Sequence, residues 1–333
     1  LGVVVSYTLL GGFLAVSLTD FVQGCIMFVA LVLVPIVAFS EFDSVSQMTD
    51  AAYESVPSFS ESLETLTLIG LVSSLGWGLG YFGQPHIIVR FMAIRSVNAI
   101  GTARNIGMSW MTVTIIGALA TGFVGVAYAN QFNLPVDDPE TIFIVFSQLL
   151  FHPLVSGFLM AAILAAIMST ISSQLLVSAS SLTEDIYRVL SKKDVSDEKT
   201  VNIGRFGVAG VAIAALLLAM DSSNTILSLV SNAWAGFGAA FGPLVLFCLY
   251  KKDLTQNAAL AGIISGAVTV LFWIYAPVLE NGQSLSSVVY EIIPGFAVST
   301  ATLWLVTHFS LAPSARVQAM FSETNKELAD QQS

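Results

Sequence analysis

Charged side chains are scarce in this sequence: Asp, Glu, Lys and Arg make up only 10% of its 333 residues, whereas hydrophobic residues make up 55%. With a mean hydropathy of +0.81, the chain is too apolar to cover a water-soluble domain with charge. Its apolar residues form continuous runs instead of alternating, which favours helices that satisfy their own backbone hydrogen bonds in lipid. We therefore expect an all-α protein that crosses a lipid bilayer several times.

Cationic, metal-binding and nucleophilic patterns are lacking as well. The formal net charge of -10 would repel nucleic acid, which argues against a nucleic-acid partner. The only two cysteines, Cys25 and Cys248, lie in apolar runs and have no metal-ligand spacing or evident disulfide partner. No hydrolase, zinc-peptidase or nucleotide-binding motif is found. The sequence therefore predicts no enzyme activity, and nothing in it indicates an obligate protein partner.

Apolar runs of roughly 17 to 25 residues predict about nine transmembrane helices. They lie near residues 1–16, 20–40, 65–88, 106–129, 153–183, 203–220, 225–250, 257–276 and 288–311. We expect a short helix outside the membrane at 141–150, a transmembrane domain over 1–312 and a short polar tail over 313–333. Because the chain starts with Leu and its first run lacks the basic region of a signal peptide, we expect it to be N-terminally truncated.

The distribution of basic residues predicts the orientation. All twelve Lys and Arg residues lie in every second loop or in the tail, within residues 90–104, 188–205, 251–252 and 316–326. The intervening loops, 41–64, 129–140 and 277–287, contain acidic residues and no basic ones. Because cytoplasmic loops carry the excess of Lys and Arg, the C-terminus is expected in the cytoplasm.

One predicted span is not expected to form an unbroken helix, because residues 76–86 contain four glycines and a proline. Trp77, Tyr81 and Pro85 recur at i, i+4 and i+8, so they share one face if the segment stays mostly helical. Two aromatic faces beside broken backbone suit a small solute that carries a cationic nitrogen and an apolar ring. An interfacial aromatic belt with glycine-mediated helix packing explains the same residues equally well.

A second polar stretch, residues 165–174, lies inside the fifth run. Ala166, Ser169 and Thr170 stand at i, i+3 and i+4, which places a carbonyl and two hydroxyls on one helix face. Neutral oxygens of this kind can coordinate a sodium ion. By spacing alone, hydroxyls that bond within their own helix or help helices to pack are the favoured alternative.

A third stretch, residues 231–243, is rich in glycine and aromatic residues. Trp234 and Phe237 lie in its middle. A gate or hinge competes here with close helix packing, and spacing alone favours packing.

Four segments closely resemble the sodium:solute symporter family. They are YTLLGGFLAVSLTDFVQ (7–23), GWGLGYFGQPHIIVRFMAIRS (76–96), LAAIMSTISSQLLVSASSLTEDIYR (164–188) and AWAGFGAAFGPLVLF (233–247). The resemblance implies a helical bundle with the inverted five-plus-five repeat of the leucine-transporter type. It also implies symport of L-proline with a sodium ion into the cell by alternating access, across the inner membrane of a bacterium.

The resemblance also implies roles for individual residues. Ala166, Ser169 and Thr170 match the family's sodium site, and Trp77, Tyr81 and Pro85 match its proline site. Asp20, expected at the cytoplasmic end of the second span, matches an aspartate implicated in sodium handling and is assigned to ion release, while Trp234 and Phe237 are candidates for gating. The family completes its sodium site with a broken second span that is absent from this sequence, so the chain as printed is expected not to transport alone.

Two other functions remain open at this point. The first is a sodium symporter for another small solute, such as a different amino acid, a carboxylate or a sugar. The second is a symporter-like sensory domain of the kind found in some histidine kinases, which would require a long cytoplasmic extension.

Overall fold

A computed structural model describes residues 1–56, 67–191, 197–220, 226–279 and 282–332 of the chain. All regular elements among these residues are helical. The α-helices are α1 (Gly2–Phe39), α2 (Val45–Ser55), α3 (Leu68–Gly76), α4 (Pro85–Met92), α5 (Ala99–Gln131), α6 (Ile142–Leu149), α7 (Pro153–Ser180), α8 (Arg188–Ser191), α9 (Asp197–Ala219), α10 (Ile226–Tyr250), α11 (Gln256–Tyr275), α12 (Ile292–Phe309) and α13 (Ala315–Gln332).

Seven helical stretches among the described residues are long and apolar enough to cross a membrane. They are Gly2–Phe39, Ala99–Gln131, Pro153–Ser191, Thr200–Ala219, Leu227–Tyr250, Gln256–Tyr275 and Ile292–Phe309. Leu68–Gly83 is a shorter apolar stretch. The prediction of an all-α, multi-pass membrane protein is confirmed.

The boundary predicted between the first two spans is wrong. Residues 17–19 are helical, and α1 continues through them to Phe39. The kink lies earlier, at Gly12, whose φ of 54° is in the left-handed region that glycine adopts without steric cost. Asp20 therefore lies in the interior of α1.

The third predicted span is broken, as its glycines and proline indicated. The α-helix α3 begins after Thr67, whose side chain accepts a hydrogen bond of 3.0 Å from the Gly70 N–H. It passes at Trp77–Gly83 into a 3-10 helix, and Pro85 then starts α4. Proline is favoured at a first helical position because its missing N–H has no partner there in any case.

The short helix predicted at 141–150 is present as α6, preceded by a 3-10 turn at Pro139–Thr141. Most of the predicted tail forms α13. Parts of the loops used for the orientation, among them Glu61, Lys192 and Glu280, lie outside the described residues.

The first compact unit comprises Leu1–Thr65 and Ala99–Met220. In this unit α1 packs against α5 and α7. Val34, Phe146 and Leu159 are completely buried in its core. At the crossing of α1 and α5, a Cβ on Gly117 would overlap the Leu31 carbonyl, so a glycine is needed for this close approach.

The second compact unit comprises Leu66–Asn98 and Asp221–Ser333. Here α10, α11 and α12 pack against one another, and the 3-10 segment lies on α10. The buried core is formed by Ala235, Ala239, Val270 and Ile292. Small residues allow this packing: a Cβ on Gly266 would overlap the Ala239 carbonyl.

Candidate functional site

Three oxygen atoms gather on one face of α7 in the first unit. The Ser169 hydroxyl donates a hydrogen bond of 3.0 Å to the Ala166 carbonyl, and the Thr170 hydroxyl donates one of 3.1 Å to the same oxygen. Bonding within the helix, the alternative favoured by spacing, is thus present. Each hydroxyl uses only its proton in this bond and keeps lone pairs for a cation, whereas the Ala166 carbonyl becomes available to an ion when the hydroxyls turn away from it. With that rotation, the three oxygens form a candidate sodium site.

Asp20 faces this polar stretch from α1. The Ser173 hydroxyl donates a hydrogen bond of 3.2 Å to Asp20 Oδ2, and the Ser172 hydroxyl donates one of 3.1 Å to the Ser169 carbonyl. Ser172 and Ser173 are buried. A polar path therefore continues along α7 from Ser169 by about one turn to a carboxylate, the kind of group that marks ion pathways inside membranes.

Sequence reasoning did not single out Ser173, although it belongs to the polar stretch 165–174. Its contact with Asp20 joins two helices that are distant in the sequence, so helical spacing could not reveal it. A second link between the same helices is the Tyr7 hydroxyl, which donates a hydrogen bond of 3.2 Å to the Met168 carbonyl.

In the second unit, Trp234 of α10 connects Trp77 to Tyr81. The indoles of Trp77 and Trp234 stack with centroids 5.4 Å apart and planes 14° apart. Trp234 Nε1 donates a hydrogen bond of 2.9 Å to the Trp77 carbonyl. The Tyr81 ring meets the Trp234 ring edge-on at 4.8 Å, and 41% of Tyr81 remains exposed. A Cβ on Gly80 would overlap the Trp234 indole.

The predicted common face of Trp77, Tyr81 and Pro85 is not formed as an α-helical face. Trp77–Gly83 is a 3-10 helix with about three residues per turn, so residues four apart no longer align. Trp77 and Tyr81 are brought together by Trp234 instead. Pro85 begins α4, where the neighbouring Gln84 is linked to α10.

Gln84 is a further residue that sequence reasoning missed. It is only 4% exposed, and its Nε2 donates a hydrogen bond of 3.1 Å to the Trp234 carbonyl. A polar side chain between Gly83 and Pro85 in an apolar run was the available signal. The contact ties the end of the 3-10 segment to the helix that carries Trp234.

Phe237, the other gating candidate, lies where α10 approaches the 3-10 segment. Its ring is 44% exposed and stacks with Phe241 at a centroid distance of 6.2 Å. A Cβ on Gly83 would overlap the Phe237 carbonyl. The close packing favoured by the spacing is present here, and a role of Trp234 or Phe237 in gating stays a prediction.

Tyr290 is the third residue that sequence reasoning missed. It precedes α12, and its ring stacks with Trp77 at a centroid distance of 6.1 Å and an interplanar angle of 15°. Its hydroxyl donates a hydrogen bond of 2.9 Å to the Ser231 carbonyl. No periodic pattern could have found it, because it lies far along the chain from Trp77.

Comparison with known proteins connects these two groups of residues to one family. The family model of the sodium:solute symporter family matches residues 1–266. The chain belongs to this family. The matched range contains every candidate site residue named above except Tyr290, so the family assignment covers both the oxygens of α7 and the aromatic group around Trp234.

Several curated relatives are about half identical to this family member. The chain is 52% identical to the osmoregulated proline transporter OpuE and 53% identical to the high-affinity proline transporter PutP, both of Bacillus subtilis, over 97% of its length. It is 50% identical to the sodium/proline symporter of Staphylococcus aureus over 95% of its length. It spans 65%, 67% and 62% of these relatives, or about two thirds of their length.

A solved structure supports the fold. The chain resembles a Na+-coupled sialic acid symporter in its substrate-bound outward-open state, with a TM-score of 0.73 and 20% sequence identity. The match covers 93% of this chain and 65% of the symporter chain. The predicted fold class, a helical bundle of the leucine-transporter type, is confirmed.

Proposed function

We propose that the full-length protein carries L-proline into the cell together with sodium, by alternating access across a bacterial plasma membrane. The observation that carries this proposal is the identity of about one half, over nearly the whole chain, to proteins named as proline transporters and sodium/proline symporters. The protein is accordingly a carrier and not an enzyme. Nothing observed favours a different solute or a sensory role.

The sodium ion would bind to the Ala166 carbonyl and to the hydroxyls of Ser169 and Thr170. Both hydroxyls lie within 3.1 Å of that carbonyl, so a small rotation about each side chain would turn their lone pairs toward an ion beside it. Three neutral oxygens replace only part of a hydration shell. The resemblance assigns the remaining ligands to an upstream broken helix of the full-length carrier.

Asp20 and Ser173 would contact the sodium ion after it leaves this site. The hydrogen bond between them lies about one helical turn along α7 from Ser169. A carboxylate attracts the cation away from neutral ligands and lowers the barrier to its release.

The proline molecule would meet the aromatic group around Trp234. The exposed Tyr81 ring offers a surface for the pyrrolidine ring and for the positive charge on its nitrogen. Trp77 contributes more indirectly, because it already stacks with Trp234 and Tyr290. Pro85 marks the start of α4 and fixes the end of the broken segment.

One sodium ion per proline provides enough free energy for concentrative uptake. A single charge that moves through 100 mV releases ~2.3 kcal/mol, and a tenfold sodium gradient adds ~1.4 kcal/mol. These two contributions support a proline gradient of several hundredfold. Coupling to sodium alone is therefore sufficient.

The first prediction concerns the coupling itself. We expect the full-length protein, reconstituted in vesicles, to take up radiolabelled proline when an inward sodium gradient is imposed, and to lose most of this uptake when potassium replaces sodium. A negative-inside potential should raise the rate, because the proposed cycle moves net positive charge inward. Uptake that is the same in both salts would contradict the sodium coupling, and uptake of other solutes in preference to proline would contradict the substrate.

The second prediction concerns the orientation. In intact cells, a single cysteine introduced as Ser322→Cys in α13 should be protected from a membrane-impermeant thiol reagent, because the tail is expected in the cytoplasm. A cysteine introduced as Asp137→Cys, in a predicted external loop, is the matched control and should react. Cys25, Cys248 and any cysteine of the upstream part of the full-length protein are replaced by serine in both variants. Labelling of the tail in intact cells would reverse the proposed topology.

A further inference from the structure

Tyr290 joins four pieces of the second unit at one point. Its ring stacks with Trp77 of the 3-10 segment at 6.1 Å, with an interplanar angle of 15°. Its hydroxyl donates a hydrogen bond of 2.9 Å to the Ser231 carbonyl in α10. Its backbone N–H donates one of 3.2 Å to Ser73 Oγ in α3. Tyr290 itself leads into α12, so a single residue links α3, the 3-10 segment, α10 and α12.

One of the residues that Tyr290 contacts, Trp77, belongs to the aromatic group around Trp234. Trp77 is fixed by two nearly parallel neighbours, Tyr290 and Trp234, and by the hydrogen bond from Trp234 Nε1 to its carbonyl. Trp234 in turn meets Tyr81 edge-on at 4.8 Å. A change in the position of Tyr290 therefore reaches Tyr81 through three ring contacts in series.

Tyr290 has little left to offer a solute directly. Its hydroxyl proton is used by the Ser231 carbonyl, its ring stacks with Trp77, and the side chain is partly buried. Tyr290 is therefore suited to hold neighbouring side chains in place and not to bind the solute itself. The Tyr81 ring, by contrast, is 41% exposed.

We propose that Tyr290 is a positioning residue of the substrate site, which sets the place of Trp77 and, through Trp234, the place of Tyr81 without contacting the solute. The proposal rests on the proposed function, because it requires Trp77 and Tyr81 to belong to the solute site. It adds a determinant of affinity that lies outside the segment of residues 76–86.

The test is a double-mutant cycle in the full-length carrier, with initial rates of proline uptake measured in vesicles. Tyr290→Phe removes one neutral hydrogen bond and keeps the ring, so the apparent KM should rise about fivefold while the maximal rate stays within about twofold. Trp77→Phe should also raise the KM. The double variant should be no worse than the poorer single variant, because both changes act through the position of the ring at residue 77.

Two further variants separate positioning from a merely structural role. Tyr275→Phe, on the 74% exposed tyrosine at the end of α11, should leave the KM unchanged. Tyr290→Leu, which also removes the ring, should raise the KM further than Tyr290→Phe. A residue that only stabilises the fold would lower the thermal midpoint or the amount of carrier and leave the KM unaltered.

An unchanged KM in Tyr290→Phe, or effects of Tyr290→Phe and Trp77→Phe that multiply as independent changes, would overturn the proposal. Failure of the proposed function has a different signature, because it shows in the unmodified carrier as uptake of another solute or as indifference to sodium. In that case the same cycle, run with the solute that is carried, still decides whether Tyr290 positions Trp77.

Discussion

Removing the hydroxyls of Ser169 and Thr170 together, as Ser169→Ala with Thr170→Ala, is expected to raise the sodium concentration for half-maximal proline uptake about 100-fold or more. A neutral group that contacts a charge contributes about 1.5–3 kcal/mol, and each 1.4 kcal/mol corresponds to a tenfold change in affinity. The loss of both contacts therefore predicts a decrease in sodium affinity of about 100-fold or more. The measurement is uptake by the full-length carrier over a range of sodium concentrations.

The same double variant should change the folding stability little. Both hydroxyls donate to the Ala166 carbonyl of their own helix, which already accepts a backbone hydrogen bond as part of α7, so their loss leaves no buried group without a partner. We expect a change in the free energy of unfolding within about 0.5 kcal/mol. This combination, a large effect on sodium and a small one on stability, distinguishes an ion site from hydroxyls that only support the helix.

Two control variants make the comparison sharp. Ser178→Ala removes an exposed hydroxyl farther along α7 and should leave the sodium dependence unchanged. Thr170→Ser keeps the hydroxyl and should restore most of the sodium affinity that Thr170→Ala loses. If the double variant binds sodium as the unmodified carrier does, the candidate site is wrong.

The spans could be predicted from the sequence because each one is a continuous apolar run, as in α11, predicted at 257–276 and found at Gln256–Tyr275. The error in α1 has a physical cause. The predicted boundary falls at residues 17–19, but the Thr19 hydroxyl donates hydrogen bonds to the carbonyls of Ala15 and Val16, so the helix accommodates this polar residue. The actual kink lies at Gly12, in a glycine pair within an apolar run.

The candidate site could be predicted only where its residues are close in sequence. The spacing of Ala166, Ser169 and Thr170 already implied that their oxygens share a helix face, and the structure places them together. The contacts of Ser173 with Asp20 and of Tyr290 with Trp77 depend on how separate helices pack. The amino-acid sequence alone contains no periodic pattern that predicts contacts between helices far apart along the chain.

Among substitutions near the aromatic group around Trp234, Gly80→Ala is expected to cause the largest loss of stability and of proline uptake. An added Cβ would overlap Nε1 and Cδ1 of the Trp234 indole. Overpacking of this kind costs about 1–3 kcal/mol, and the displaced indole would lose its hydrogen bond of 2.9 Å to the Trp77 carbonyl and its contact with Tyr81. We expect a lower thermal midpoint and, at low proline concentration, an uptake rate reduced about tenfold or more.

Gly78→Ala in the same 3-10 segment is the matched control, because a Cβ at Gly78 meets nothing within 4 Å. It should keep both stability and proline affinity. Equal effects of the two substitutions would mean that glycine serves only backbone flexibility here. Gly80 already lies against Gly238 of α10, and Gly83 lies against the Phe237 carbonyl of the same helix. A side chain at Gly80 must therefore displace the Trp234 indole or separate the 3-10 segment from α10, and either change alters the proposed proline site.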